Sequence, residues 1–225
     1  MLGINFIPWD SKTFGIKCYD IVSYNEEVLK QTDDKEGHFT IKVNPLSDKS
    51  LLQRYGFYYV DTLIQPNCEK DNFKSFKFEK DTLRIDTNHV DYDLELFTDM
   101  FDGLFRHGRF HRDFNINNDD ADKRYMSWFK QIFDEGVIHV CLYEDNAVGF
   151  MAYKGNDLLL TGLDKSVKGK GLAKYFWSES CKVILNNYGS FITSVSATNL
   201  AALNLYNSLG FKFNNPIDVY HKFNS

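Results

Sequence analysis

The chain has 225 residues, 43% hydrophobic and 25% charged, and a formal net charge of −5. That is the make-up of a water-soluble globule with enough aromatic residues (16%) for a sizeable core, and its acidic balance argues against a nucleic-acid or acidic-membrane surface. No apolar run approaches the ~18 residues of a spanning helix, the opening residues lack a secretory pattern, and Cys18, Cys68, Cys141 and Cys181 are spread singly, as reduced thiols in a cytoplasmic protein would be rather than zinc ligands or disulfides.

In chain order, Leu52–Tyr59 can be laid on Tyr206–Phe213. Both read as a helix closed by a glycine and followed by an aromatic strand. Duplication and chance both remain open; under duplication the first copy carries Leu52 where the second carries Tyr206, and it has no glycine-rich loop upstream. The polar stretch from Glu69 to Lys80 reads as a boundary between a first α/β domain, residues 1–80, and a larger one, 81–225. Asp91 to Phe105 reads as a helix with Leu94, Phe97, Phe101 and Leu104 on one face. A second helix starts at an Asn117–Asp120 cap and stops at Gly136. Strands follow at Val137–Tyr143, Ala147–Tyr153 and Leu158–Leu163, then a glycine-rich loop and a helix from Leu172 to Asn187. Phe191–Ala197 reads as a strand, Ala201–Leu209 as a helix capped by Thr198 or Asn199, and Phe211–Phe213 and Ile217–Phe223 as final strands. The order is that of an α/β (α+β) fold with a mixed sheet.

The loop Lys168-Gly169-Lys170-Gly171-Leu172-Ala173, set between a strand and a helix, is the most informative segment. Gly169 and Gly171 let the backbone turn tightly and approach a ligand. The free N–H groups of the helix start favour an anion such as a pyrophosphate, and Lys168 and Lys170 add positive charge. The spacing fits neither a Walker loop nor GxGxxG.

About thirty residues later stands Asn199-Leu200-Ala201-Ala202-Leu203-Asn204-Leu205-Tyr206-Asn207-Ser208-Leu209-Gly210-Phe211. The two segments together resemble the signatures [QR]xxGx[GA] and Nxx[AS]xxxYxxxGF of the GNAT acyltransferase superfamily, with Lys168 in place of Gln or Arg. The resemblance covers roughly Val137 to Phe223 and implies a GNAT fold with a splayed central sheet. It implies acyl-CoA as co-substrate, acetyl or a longer or hydroxylated acyl, and no metal. The CoA contacts would come from Leu163, the Lys168–Ala173 loop, Asn199 and Ala202. A backbone N–H near Thr161 would polarise the thioester carbonyl, and Tyr206 would protonate the departing thiolate.

For the acceptor, Phe105-Arg106-His107-Gly108-Arg109-Phe110-His111-Arg112-Asp113 gathers cationic side chains among aromatics, suited to a second anionic ligand. With Trp9–Gly15, Tyr59–Leu63 and Arg124-Tyr125-x-x-Trp128, it resembles the TDP-fucosamine acetyltransferase group. That likeness implies a dTDP-linked amino-dideoxy sugar as acceptor, with Arg109, His111, Asp113 and Arg124 as binding residues and the first domain as acceptor-side scaffold. His111, Asp113 and His139 are all candidates for the base. Nucleic acid and membrane are not expected partners, and a homodimer is compatible with the pattern. Two rival readings stay open: a GNAT enzyme acting on a protein or small-metabolite amine, and a CoA-binding module without transfer.

Overall fold

The computed structural model describes residues 3–79 and 82–224, so the expected boundary at residues 80 and 81 lies outside the described residues. The first half builds β1 (Ile4–Phe6), α1 (Pro8–Phe14), β2 (Cys18–Ile21), α2 (Glu26–Asp33), β3 (Gly37–Val43), α3 (Ser50–Arg54) and β4 (Tyr58–Glu69). The second builds β5 (Leu83–Asp86), α4 (Asn118–Glu135), β6 (Val137–Tyr143), β7 (Asn146–Lys154), β8 (Asp157–Leu163), α5 (Ala173–Tyr188), β9 (Ser190–Thr193), β10 (Val195–Ser196), α6 (Leu200–Ser208) and β11 (Lys212–Asn224). The helix signals act as read: Asn117 caps α4 through Asp119 N, Asn199 caps α6, and Gly189 closes α5 at φ +77°. Among the described residues no helix is long and apolar enough to cross a membrane.

All strands join one mixed sheet in the order β1-β2-β3-β11-β4-β9-β8-β7-β6-β5, with β10 beside β4. The order is nearly symmetric about its middle. The parallel pair β2/β3 answers the parallel pair β8/β9. Each half lends its last strand to the other: β11 pairs β3, and β4 pairs β9 and β10. The junctions matched in sequence are equivalent here, with Gly56 at φ +76° before β4 and Gly210 at φ +90° before β11.

Helices cover both faces of the second half. α5 lays Phe176, Cys181 and Ile184 over Cys141, Met151 and Phe191. On the opposite face α4 sets Phe129 and Ile132 over Ile138, Val140 and Phe150. β6 is therefore buried from Ile138 to Leu142, apolar on both sides apart from His139. In the first half α2 and α3 bury Leu29 and Leu52 against Ile21, Phe39 and Ile41.

Three elements differ from the sequence reading. The expected helix from Asp91 to Phe105 is instead a pair of 3₁₀ segments, His89–Asp91 and Leu94–Phe101, followed by turns. Leu94, Phe97 and Met100 recur every three residues, the repeat of a 3₁₀ helix, and Gly103 at φ +63° ends the run. The strand expected over Phe191–Ala197 breaks at Ser194 into β9 and β10. The two expected final strands are one, β11, kinked where its register with β4 shifts between Asn214 and Ile217. Asn215 at φ +48° and Pro216, which lacks an N–H, make that bulge.

A buried carboxylate ties the turn-rich segment before α4 to the sheet. Asp113 accepts hydrogen bonds from His38 Nε2 on β3 (2.8 Å), His221 Nδ1 on β11 (2.7 Å), Tyr58 OH on β4 (2.9 Å) and the Asn115 backbone N–H (2.9 Å). Burial by itself would raise its pKa; the bonds from His221, His38 and Asn115 outweigh that and hold it well below the usual carboxylate range. Burial pushes His221 down to about 3, and burial pushes His139 on β6 down to about 4.

These two imidazoles set a pH dependence of stability. Each takes up a proton near pH 6.5 in the unfolded chain but resists it in the fold. Between pH 6.5 and about 4 the unfolded state therefore binds more protons, and stability falls as pH falls. We expect Tm to decline steadily across that window, above the range where carboxylates titrate. A Tm that stays flat down to pH 5 would show that neither ring is held neutral.

Candidate active site

β8 and β9 pair only at Asp157↔Ile192 and Leu158↔Thr193. Past Ser194 the chain leaves β8, and β10 pairs with β4 through Val195↔Ile64 and Ser196↔Leu63. On the β8 side the register with β7 slips, so that Leu159 has no partner between Leu158 and Leu160. Such a bulge re-aims the backbone. The parting opens into a cavity of about 600 Å³ lined by Leu159, Leu160, Thr161 and Ser196.

Tyr206 reaches this cavity from α6, only 3% exposed. The helix is fixed by Asn199, whose side chain accepts from Ala202 N at 3.2 Å, and both residues line the cavity as well. Burial pushes the Tyr206 phenol up, while a hydrogen bond from the Trp177 side chain works in the opposite direction. The Thr161 hydroxyl is committed to Phe150 O at 3.0 Å, which leaves its backbone as the part able to serve a ligand.

The loop after β8 is pinned by buried Val167 and Leu172, with Lys168 to Gly171 exposed between them. Gly169 and Gly171 have φ +80° and +70°, and no atom lies within 4 Å of where a Cβ would stand on either. Leu172 gives α5 no side-chain cap, so the first N–H groups of the helix are open to an anion. Leu163 ends β8 opposite Gly149, half-buried beneath the start of the loop and away from the cavity lining. The loop follows directly on β8, whose Leu158 to Thr161 line the cavity.

The opposite wall is cationic. Arg124 is paired through Nε with Asp10 Oδ1 at 3.2 Å and lies 4.6 Å from the Trp9 ring and 5.2 Å from Trp128. The Trp9-Asp10 and Arg124-Tyr125-x-x-Trp128 phrases thus meet in space. Arg109 lies 4.7 Å over Phe110 and makes no ion pair among the described residues. Lys42, on β3, lines the same cavity, again without an ion pair among them. Burial and the neighbouring Arg109 push its pKa down. Lys42 was not singled out from sequence, although a lone exposed lysine in an otherwise buried strand, Gly37–Val43, is the available signal.

His111 and Asp113 stand apart from the cavity. His111 Nε2 bonds Asp122 Oδ1 at 2.9 Å with its ring buried, and Asp113 belongs to the His38–His221 cluster. That cluster is also the group of side chains nearest to a metal-ligand set. Its N···O separations of 2.7 and 2.8 Å are hydrogen bonds; ligands on a tetrahedral zinc at ~2.0–2.1 Å stand about 3.3 Å apart.

No protein-family model matches the chain. Over 80 residues it is 35% identical to N-acetylaspartate synthetase of Xenopus tropicalis, a match to 32% of this chain and 30% of that relative. The chain thus aligns with less than a third of the relative's length. In three dimensions it resembles a GCN5-related N-acetyltransferase from Sphaerobacter thermophilus, with TM-score 0.66 and 12% identity over 98% of this chain and 76% of that one. It also resembles a tandem GNAT protein of the clavulanic acid biosynthesis pathway, with TM-score 0.58 and 8% identity over 93% and 76% of the two chains. The mixed, splayed sheet is the fold of the GCN5-related N-acetyltransferases.

Proposed function

We propose that the chain moves an acyl group from acyl-CoA onto the amine of an anionic acceptor, and that the acceptor is a dTDP-linked amino-dideoxy sugar. One observation carries the reading: the parted strands, the Tyr206 side chain and Lys42 and Arg109, which have no ion pair among the described residues, share one cavity. The CoA pyrophosphate would sit on the Lys168–Ala173 amides and the pantetheine in the gap between β8 and β10. The acceptor nitrogen attacks the thioester carbon, a β8 amide near Thr161 stabilises the oxyanion, and Tyr206 gives its proton to the departing sulfur. Lys42, Arg109 and Arg124 hold the acceptor's phosphates, with Trp128 and Tyr125 as aromatic faces for a base. Residues 1–80 then act as acceptor-side scaffold through Lys42 and Asp10, residues 81–225 carry acyl-CoA, and a reaction drawing on CoA belongs in the cytoplasm.

A second reading, an acidic small-metabolite amine as acceptor, is favoured by the 80-residue likeness to N-acetylaspartate synthetase. The same cations would grip carboxylates. CoA release measured with dTDP-amino sugars and with acidic amino acids decides between the two. A kcat/KM higher for the amino acids would overturn the sugar.

Four variants test the assignment. Arg109→Ala and Lys42→Ala should each raise the acceptor KM about ten- to a hundredfold, the worth of one charge-assisted contact, and leave the acyl-CoA KM nearly unchanged; equal effects on both would remove the acceptor site. Gly171→Val forces a β-branched residue to φ +70° on an exposed loop. Calorimetry should then show CoA binding lost from a folded protein, and retained binding would remove the donor loop. Tyr206→Phe keeps the ring and little stability should be lost, while single-turnover transfer should slow about 10²–10⁴-fold. A wild-type rate in that variant would make Tyr206 a packing residue.

A further inference from the structure

We infer that His107 is the base that takes the proton from the acceptor amine, its tautomer set by a hydrogen-bonded chain through Thr198 and Ser196 to the buried carboxylate of Asp61. The inference rests on the acyltransferase reading and fills the role which that reading leaves open.

Of the six histidines, His107 is the one in the cavity wall. His111 is bonded to Asp122, His38 and His221 to Asp113, His89 to Phe133 O, and His139 to the Tyr153 hydroxyl inside the core. His107 Nδ1 stands 3.3 Å from Thr198 Oγ1, which is 2.9 Å from Ser196 Oγ, which is 2.7 Å from Asp61 Oδ1. Asp61 is fully buried, and its Oδ1 also accepts from Arg112 Nη1 at 2.6 Å, while Oδ2 has no partner.

The direction of the chain follows from chemistry. Oδ1 already receives Arg112, so Ser196 must donate to it; a proton on Asp61 would sit on the free Oδ2. Ser196 Oγ then accepts from the Thr198 hydroxyl, and Thr198 Oγ1 accepts from His107 Nδ1–H. Nε2 keeps its lone pair. The charges facing the ring are Arg106 and Arg112 from its own turn, Lys168 from the loop after β8, and Asp61 from β4. Burial and the three cations lower its pKa below 6.5, against Asp61, so the ring is neutral at pH 7.

A base of that strength suffices. Attack turns the amine into an ammonium on a tetrahedral carbon, far more acidic than the free amine. The C–N bond forms, His107 Nε2 takes the nitrogen's proton, the C–S bond breaks, and Tyr206 protonates the sulfur. His107 then releases a proton to solvent and Tyr206 recovers one, so nothing is gained or lost by the enzyme. Ser196 and Asp61 are positioning residues.

The test is single-turnover transfer from acetyl-CoA by His107→Gln and His107→Ala, with CoA binding followed by calorimetry. Both variants should bind CoA as wild type does and transfer about 10²–10⁴-fold more slowly. The acidic limb of the wild-type pH profile, below pH 6.5, should vanish, and added imidazole should restore part of the rate to His107→Ala. Ser196→Ala should move the same limb. Transfer by His107→Gln within threefold of wild type, or a loss confined to acceptor KM with the limb in place, overturns the base alone. A wild type that acylates no amine in the panel overturns the acyltransferase reading, and the base with it.

Discussion

The structure turns on where two parallel strands stop pairing. β9 can follow β8 only as far as Thr193, whose hydroxyl donates to Leu158 O at 3.0 Å as the last contact before the split. Beyond it β10 is taken by β4, itself held on its other side by β11. Buried backbone groups without partners cost about 1–3 kcal/mol each, so an open edge inside a sheet persists only if something else fills it. An extended ligand rich in amides, as pantetheine is, suits such an edge. The first half shows the alternative. There β2 and β3 stay paired from Cys18↔His38 to Ile21↔Ile41, and Leu52 occupies the position of Tyr206. The pair there stays closed, and Leu52 carries no hydroxyl.

Charge follows the same economy of place. The chain is acidic overall, yet its cavity gathers cations that differ in company. Arg124 has a carboxylate, Asp10. Exposed Lys42 and half-buried Arg109 have none among the described residues, and a partly buried charge without a partner is costly. The turn bearing Arg109 is anchored elsewhere, through Asp113 and its four donors on β3, β4, β11 and the turn itself. The buried cluster holds the turn, so the position of Arg109 does not depend on an ion pair of its own.

Much of this was legible in the residues. The helix caps at Asn117 and Asn199, the glycine stops, the strands of residues 137–163 and the loop ahead of α5 are local features written in local signals. The basic segment Phe105–Asp113 was legible in chemical type but not in direction. In an irregular turn consecutive side chains diverge: Arg109 faces the cavity, His111 Asp122, Arg112 Asp61 and Asp113 the two buried histidines. No periodicity ranks such residues, so His111 and Asp113 looked as suitable as Arg109, and His107 looked like one cation among five. Lys42 escaped because its place in the cavity wall depends on how β3 sits in the sheet. The break at Ser194 escaped because strand propensity does not register which neighbour a strand will choose.

Burial of Tyr206 would at first sight weaken it as an acid, since desolvation widens the gap between a phenol near ~10 and a thiol near ~8.5 in water. The thiolate of the proposed reaction, however, would form in the same enclosed space and be penalised for the same reason. What matters is the difference between two anions in one environment, and a hydrogen bond from the Trp177 side chain favours the phenolate side of it. Raising the phenol has a second consequence: Tyr206 is fully protonated at rest across the neutral range and needs no titration to be ready. In such a site the acid is always loaded, and the pH dependence of transfer is left to the groups that receive the proton from nitrogen.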